Sequence, residues 1–211
     1  RICDEKIPEL KAGLKKLKTA AVAFSGGVDS AFLLAVAARS GLERLMAVTV
    51  DSEFVTREEI QQARQTAADL GVMHQVLEID ILDHEQVTVN SPERCYHCKT
   101  VVFSLIRKAA DQAGIRHVLH GVNTDDLTDY RPGLKAAGEL NILAPLVESG
   151  FSKHQIRTCS RQMGLTTWNL PSQSCLATRI PFFDAITRPA LCRIEQAERF
   201  IRSLGFAHVR V

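Results

Sequence analysis

Five short runs of apolar and β-branched residues punctuate the chain, at residues 20–24, 45–50, 74–79, 117–122 and 141–146. Their length and the turn residues that bound them predict strands. Between them the apolar positions fall at helical spacing. Leu10, Leu14 and Leu17 line one face of a first helix, and Ile60, Ala63, Ala67 and Leu70 line another. The second of these opens with Thr56 and Glu59 spaced as a capping box, and Ser152 and Gln155 repeat that signature ahead of Ile156. Strands alternating with helices predict βαβ units around a mostly parallel sheet, an α/β fold.

The pattern breaks at residues 169–183, where Pro171, Pro181 and small polar residues interrupt it. A first domain over residues 1–178 is expected to end there, followed over residues 179–211 by the start of a smaller C-terminal α/β domain. Its opening is a helix over residues 191–204, with Gly205 as a cap and a strand from Ala207. The chain stops at Val211 within that strand and begins at Arg1 rather than Met, so a truncated second domain and a missing true amino terminus are expected.

Of 211 residues, 45% are hydrophobic and 24% charged, as in water-soluble globular proteins, and no apolar run reaches the roughly 18 residues of a membrane span. The formal charge is only +2, with basic residues spread along the chain, which disfavours nucleic acid and favours a small molecule as partner. Six cysteines are an even number, yet the chain is too large and core-rich to need disulfide staples, so reduced thiols in a cytoplasmic protein are expected.

Candidate chemistry begins where the first strand ends. Ser25, Gly26, Gly27, Val28, Asp29 and Ser30 follow it directly and open an apolar helix. Two glycines let the backbone come close to a ligand, and a helix start offers N–H groups and a positive dipole end to phosphate. A Walker A loop would add a lysine, whereas this one carries an aspartate. Such a cradle suits pyrophosphate as a leaving group, with Mg²⁺ recruited by carboxylates, better than attack at the γ phosphorus. Two glycines also serve a plain tight turn.

Cys95 and Cys98 flank Tyr96 and His97 in a CxxC, a spacing that serves zinc, a redox pair or neither. Cys175 lies in a proline-bounded loop. Three cysteines suit a cubane cluster with one iron left open, whereas structural zinc wants a fourth ligand, for which His97 is awkwardly placed between the two thiols. Cys3, Cys159 and Cys192 read as structural thiols in terminal or helical contexts. Residues 121–139 gather Asp125, Asp126, Asp129, Arg131 and Glu139 after the fourth strand. They form either a solvated acidic turn or, at the carboxyl end of a parallel strand, ligands for Mg²⁺.

Taken together, SGGVDS, NSPERCYHCKTVVF, GVNTDDLTDYRPGL and PSQSCLATRIPFFDAIT resemble, in order and spacing, the LarE family of ATP-dependent sulfur transferases. That family belongs to the PP-loop ATP pyrophosphatase superfamily, so the resemblance implies a Rossmann-like domain that holds ATP on Ser25 to Ser30 and at the end of the second strand, Val50, Asp51 and Ser52. It implies an enzyme that adenylates pyridinium-3,5-biscarboxylic acid mononucleotide, releases AMP and pyrophosphate, and inserts sulfur to give the thiocarboxylate. The product is a precursor of the nickel-pincer nucleotide cofactor of lactate racemase. One subtype sacrifices the sulfur of the cysteine matching Cys175. The other binds a [4Fe-4S] cluster through cysteines matching Cys95, Cys98 and Cys175, and is fed by an external sulfide or sulfur donor. All three are present here, which implies the cluster-dependent subtype. Relatives also imply a homo-oligomer.

Within that scheme Asp29, Asp126 and Glu139 are expected to place Mg²⁺, while Lys99 and Arg179 are expected to bring positive charge to the adenylate beside the catalytic Cys175. Arg210 is placed for the substrate phosphate, and Tyr96 and Trp168 are either aromatic walls or packing. Three rivals remain open: a PP-loop tRNA-thiolating enzyme, which would need a broad basic surface; an amidotransferase or NAD synthetase relative, which would leave the thiols without work; and a non-catalytic ATP-binding redox sensor.

Overall fold

A computed structural model describes residues 2–128, 131–172, 174–206 and 209–211. Helix α1 (Ile2–Lys16) leads into strand β1 (Thr19–Ala23), α2 (Val28–Ala38), β2 (Arg44–Asp51), α3 (Arg57–Asp69) and β3 (Met73–Glu78). A short α4 (Glu85–Thr88) precedes the long α5 (Arg94–Gln112), β4 (His117–His120), α6 (Pro132–Glu139), α7 (Pro145–Glu148), α8 (Lys153–Gln162) and α9 (Arg188–Ser203). Single 3-10 turns stand at Thr124–Leu127 and Leu176–Arg179.

The strands form one parallel sheet in the order β3-β2-β1-β4. The chain moves outward from β1 to β3 and then crosses back to lay β4 on the other side of β1. The carboxyl ends of β1 and β4 therefore border the point where the winding direction reverses, the place where such sheets bind ligands.

Alternation along β1 divides the core. Ala20 and Val22 face a cluster built with α1, α2, α3 and α8, including Phe32, Leu33, Phe151 and Ile156. Ala21 faces the opposite cluster, in which Phe103, Ile106 and Ala110 of α5 meet Ala137 of α6. Both expected capping boxes form, Thr56 with Glu59 at α3 and Ser152 with Gln155 at α8. A third cluster lies beyond the sheet, where Phe54, Ile81 and Val87 pack on Leu176, Ala177, Ile186 and Leu191. It ties the loop after β2, the segment around Cys175 and the start of α9 into one body.

Two expectations are corrected. The fifth apolar run contributes only a parallel bridge, Leu143 to Leu119, rather than a strand. Asn141 has a left-handed backbone at φ 52°, and Pro145 opens α7, so only a short extended piece separates two turns. Nor are all cysteines reduced: Cys3 of α1 and Cys159 of α8, both buried in the first cluster, are joined as a disulfide. The helix expected at 191–204 runs over Arg188–Ser203, and Gly205 follows it at φ 97°. The strand expected from Ala207 starts outside the described residues. No helix among the described residues is long and apolar enough to cross a membrane.

Candidate functional site

The glycine turn follows β1 because its backbone goes where a side chain cannot. Gly26 has φ 76°, and a Cβ there would lie 3.0 Å from the backbone of Ala63 in α3. Gly27 caps α2 in an extended conformation with no side-chain cap, which presents the first-turn N–H groups of that helix to the sheet edge. Ser25 and Ser30 brace the turn: their hydroxyls are 3.1 Å apart, and the Ser30 hydroxyl donates to the Gly27 carbonyl at 3.2 Å. From the other side Gly121, just past β4, abuts the loop so closely that a Cβ would fall 2.8 Å from the Ser30 nitrogen. Val28 and Ser30 are buried, whereas Ser25 is exposed at the rim.

A lysine reaches the aspartate of this loop from a distant element. Lys153, the first residue of α8, donates to Asp29 Oδ2 at 2.6 Å. The second oxygen of Asp29 is buried without a partner. Burial pushes the Asp29 carboxyl above its ordinary range and Asp126 adds to this, while Lys153 opposes it. An orphaned buried carboxylate oxygen is the kind of donor a divalent cation takes.

The expected third acid is elsewhere engaged. Glu139 accepts from the Tyr96 hydroxyl at 2.7 Å and lies 4.0 Å from Lys135. Asp126 closes an Asn-led capping box by accepting from Asn123 N, and pairs with Arg131 at 2.9 Å. Among the described residues no three His, Cys, Asp or Glu side chains converge as a ready metal site. Asp129 lies outside the described residues.

At the end of β2, Val50, Asp51 and Ser52 are buried. Arg57 grips both oxygens of Asp51, one of them at 2.7 Å, and Ser52 Oγ accepts weakly from Phe54 N at 3.4 Å. Phe54 then accepts the Leu176 N–H through its carbonyl at 3.1 Å, so the strand end and the Cys175 loop are joined directly.

Cys95 and Cys98 occupy the first turn of α5, and Cys175 immediately precedes the turn at Leu176–Arg179. All three thiols are free and partly buried. Burial pushes the Cys98 thiol up to about 11, and both other cysteines add to the effect while Lys99 and Arg94 oppose it. Cys175 is likewise raised by burial and by Cys95. Cys95 and Cys175 both act on the ionisation of Cys98, with the charges of Lys99 and Arg94 opposing them, yet among the described residues the three thiols do not converge as a metal-holding group.

Lys99 links these two halves of the site. Its ammonium Nζ lies over the Phe103 ring, 5.3 Å from the centroid, and its charge opposes thiol protonation at Cys98 and Cys175. It also acts on His120, which burial first and Lys99 second hold down to about 4. His120 precedes Gly121, the residue pressed against the glycine loop. Lys99 therefore acts electrostatically on both Cys98 and Cys175 and on His120.

Arg179 has another setting. Its side chain is 6% exposed; Nε and Nη2 donate to Glu198 at 2.7 and 3.1 Å, and Nη1 donates to the carbonyls of Ser174 and Cys175 at 2.8 and 3.1 Å. With its charge neutralised by Glu198, it anchors the Cys175 loop to α9. Arg210 is exposed at the chain end, and Trp168 is half-buried under Arg161. Sequence reasoning missed Lys153, Arg94, His120 and Glu198. Only SKHQI gave any local hint, since the Ser152 cap marks a helix start without saying what that helix faces.

The family profile described as queuosine biosynthesis protein QueC matches residues 19–180. The chain is 36% identical over 203 residues to the pyridinium-3,5-bisthiocarboxylic acid mononucleotide synthase of Lactiplantibacillus plantarum, covering 96% of this chain and 74% of that protein. It is also 36% identical over 208 residues to an uncharacterized protein of Synechocystis sp., covering 99% and 78%. In fold it is similar to an NMN synthetase from Francisella tularensis, with TM-score 0.63 and 17% identity over 99% of this chain and 97% of the other.

Proposed function

We propose, since this chain belongs to the QueC-type PP-loop family and to the LarE family of pyridinium-3,5-bisthiocarboxylic acid mononucleotide synthases, that it is an ATP-dependent sulfur transferase acting on a pyridinium mononucleotide. The observation that supports the reading most directly is the glycine turn after β1, closed by Gly121 from β4, with Asp29 leaving one oxygen unpartnered and Lys153 2.6 Å from the other.

In this mechanism the amides at the start of α2 and the glycine turn hold the β and γ phosphates of ATP. Asp29, through its unpartnered oxygen, and Asp126 are the residues that would hold Mg²⁺, which would screen the phosphate charge, and Lys153 would turn from Asp29 toward the phosphates. Adenosine rests against Val50, Asp51 and Ser52. A substrate carboxylate oxygen attacks the α phosphorus, the bond to the β-phosphate oxygen breaks, and pyrophosphate leaves. Lys99 neutralises the charge that accumulates on the α phosphate. Sulfur then adds at the activated carbon, and AMP departs with the former carboxylate oxygen.

Cys95, Cys98 and Cys175 are the residues that would hold a [4Fe-4S] cluster. Bound there, the cluster supplies sulfur for repeated turnover, with an external sulfide source. Such a cluster calls for a reducing compartment such as the cytoplasm, against which stands the buried Cys3–Cys159 disulfide. The substrate phosphate pocket, a homo-oligomeric assembly and a distinct C-terminal domain over residues 179–211 belong to the same reading.

Two experiments test it. Incubation with ATP and the biscarboxylate should give AMP and pyrophosphate, and ADP as product would overturn the adenylation step. Anaerobically purified protein should be brown with iron and labile sulfide, and Cys95→Ala should be colourless; stoichiometric zinc in a colourless wild type would overturn the cluster.

A further inference from the structure

Thr49 is the one polar residue in the buried stretch 46–50 of β2, and it is 4% exposed. A hydroxyl there carries a desolvation cost that valine would not, and only its hydrogen bonds offset it. Its Oγ1 donates to the Phe24 carbonyl at 2.6 Å and lies 2.8 Å from His74 Nε2 of β3. A carbonyl only accepts, so the single hydroxyl proton goes to Phe24, and His74 must donate its Nε2–H to Thr49. His74 stands opposite Ala47 in the register and so shares the sheet face of Thr49, where its ring meets that of Phe24 edge-on at 5.7 Å. None of the steps above uses either residue.

Phe24 is where β1 ends and the glycine turn begins. Its N–H still donates to the Val48 carbonyl at 2.8 Å, while its own carbonyl is taken by the Thr49 side chain. The same peptide plane carries the Ser25 N–H, which donates to Ser30 Oγ at 3.3 Å, and the Ser30 hydroxyl donates in turn to the Gly27 carbonyl at 3.2 Å. The Gly27 peptide plane ends in the N–H of Val28, the first residue of α2. Every donor in this series points the same way, from His74 on the outer strand β3 to the first amide of the cradle. Hydrogen bonds aligned in series polarise one another, and here they fix two successive peptide planes of the turn.

We propose that Thr49 and His74 are positioning residues of the anion cradle: a one-directional relay from His74 through Thr49 to Phe24, and on through Ser25 and Ser30 to Gly27, orients the first amide of α2 for the terminal phosphates of a nucleotide. Thr49 also stands immediately before Val50, Asp51 and Ser52, so its hydroxyl ties the cradle to the strand end assigned to adenosine. The proposal rests on the reading that the cradle holds ATP.

The test uses the whole chain and two readouts on folded protein: calorimetric titration with ATP and Mg²⁺, and amide hydrogen exchange at Ser25 without nucleotide. Thr49→Val removes the hydroxyl at nearly constant volume, and His74→Phe keeps a ring against Phe24 while removing the donor. Thr49→Val should weaken ATP binding by about 3- to 10-fold, the worth of one neutral hydrogen bond, and speed exchange at Ser25. His74→Phe should do both to a smaller extent. Thr49→Ser and His74→Gln, which restore a hydroxyl and an N–H donor, should recover most of the loss. Because His74 acts through Thr49, the double variant Thr49→Val/His74→Phe should bind ATP no more weakly than Thr49→Val alone. Should Thr49→Val not fold, His74→Phe against His74→Gln carries the comparison. Folded variants that bind ATP as the wild type does would overturn the relay, and so would losses that add in the double variant. A wild type that binds no ATP, with Ser25 exchange still faster in Thr49→Val and His74→Phe, would sink the nucleotide reading and leave the relay in place. Unchanged exchange in that case would remove both.

Discussion

Lys153→Met removes the cation that the glycine loop itself lacks. The pair it forms with Asp29 is close, at 2.6 Å, and intermediate in exposure, with the two side chains 28% and 22% accessible. Exposed pairs are worth about 0.2–1 kcal/mol and breaking a buried one costs about 3–5, so this one should cost about 1–3 kcal/mol. The cost should depend on pH. Burial raises the Asp29 carboxyl and Lys153 restrains it, so without the lysine the folded-state value climbs further. A carboxyl raised above its unfolded value destabilises the fold where it is ionised, and the penalty fades as pH falls through the folded-state value. The deficit of Lys153→Met should therefore be largest near neutrality, shrink on acidification, and largely vanish in an Asp29→Asn background. Urea denaturation across pH reads all three. Calorimetric titration with ATP and Mg²⁺ should also show affinity reduced by about 10- to 100-fold, the worth of a charge-assisted phosphate contact. A deficit that is flat with pH and unchanged by Asp29→Asn would refute the pairing, and undiminished ATP binding would refute the phosphate role.

Three further outcomes follow from contacts around the same edge. Gly121→Ala must open a 2.8 Å approach to the Ser30 nitrogen by about 0.6 Å, an overpacking of about 1–3 kcal/mol. Because the displaced atoms are the anion cradle, pyrophosphate release should fall far more than the melting temperature, and equal losses would contradict the cradle. His120, held down to about 4 by burial and Lys99, resists a proton that the unfolded chain accepts near 6.5. Stability should thus fall, by up to about 3 kcal/mol, as pH drops between those values, and His120→Gln should flatten that slope in thermal melts. Glu198→Gln breaks a buried pair with Arg179, whose partners are 6% and 0% exposed, and should cost about 3–5 kcal/mol. Burial alone would raise that carboxyl, but the two arginines hold it below its ordinary range, so the loss should be seen at neutral pH and diminish in acid.

What was legible in the chain was whatever a few consecutive residues decide. The caps at Thr56 and Ser152 are local hydrogen bonds between residues three apart, and both form. The glycine turn is local too, since Gly26 needs its positive φ wherever the sheet ends. The run at 141–146 looked like a strand because apolar content alone cannot reveal that Asn141 turns the chain and Pro145 starts a helix. The hidden features are pairings across long separations. Lys153 meets Asp29 from 124 residues away, and Cys3 meets Cys159 from 156. Arg179 shows how position alone misleads. Four residues after Cys175 in a loop, it reads as a free charge for the adenylate, yet Glu198, one full helix later, faces it and claims the guanidinium.

The same contrast explains where this site keeps its charges. A loop that must surround phosphates cannot carry its own lysine and aspartate in one turn without the two neutralising each other permanently. By placing Asp29 on α2 and Lys153 at the start of α8, the fold brings the cation to the carboxylate from a separate element, at 2.6 Å. Lys153 is thus held by the scaffold beside the glycine turn before any ligand arrives, and this is why the cost predicted above for it should appear in ligand binding as well as in stability.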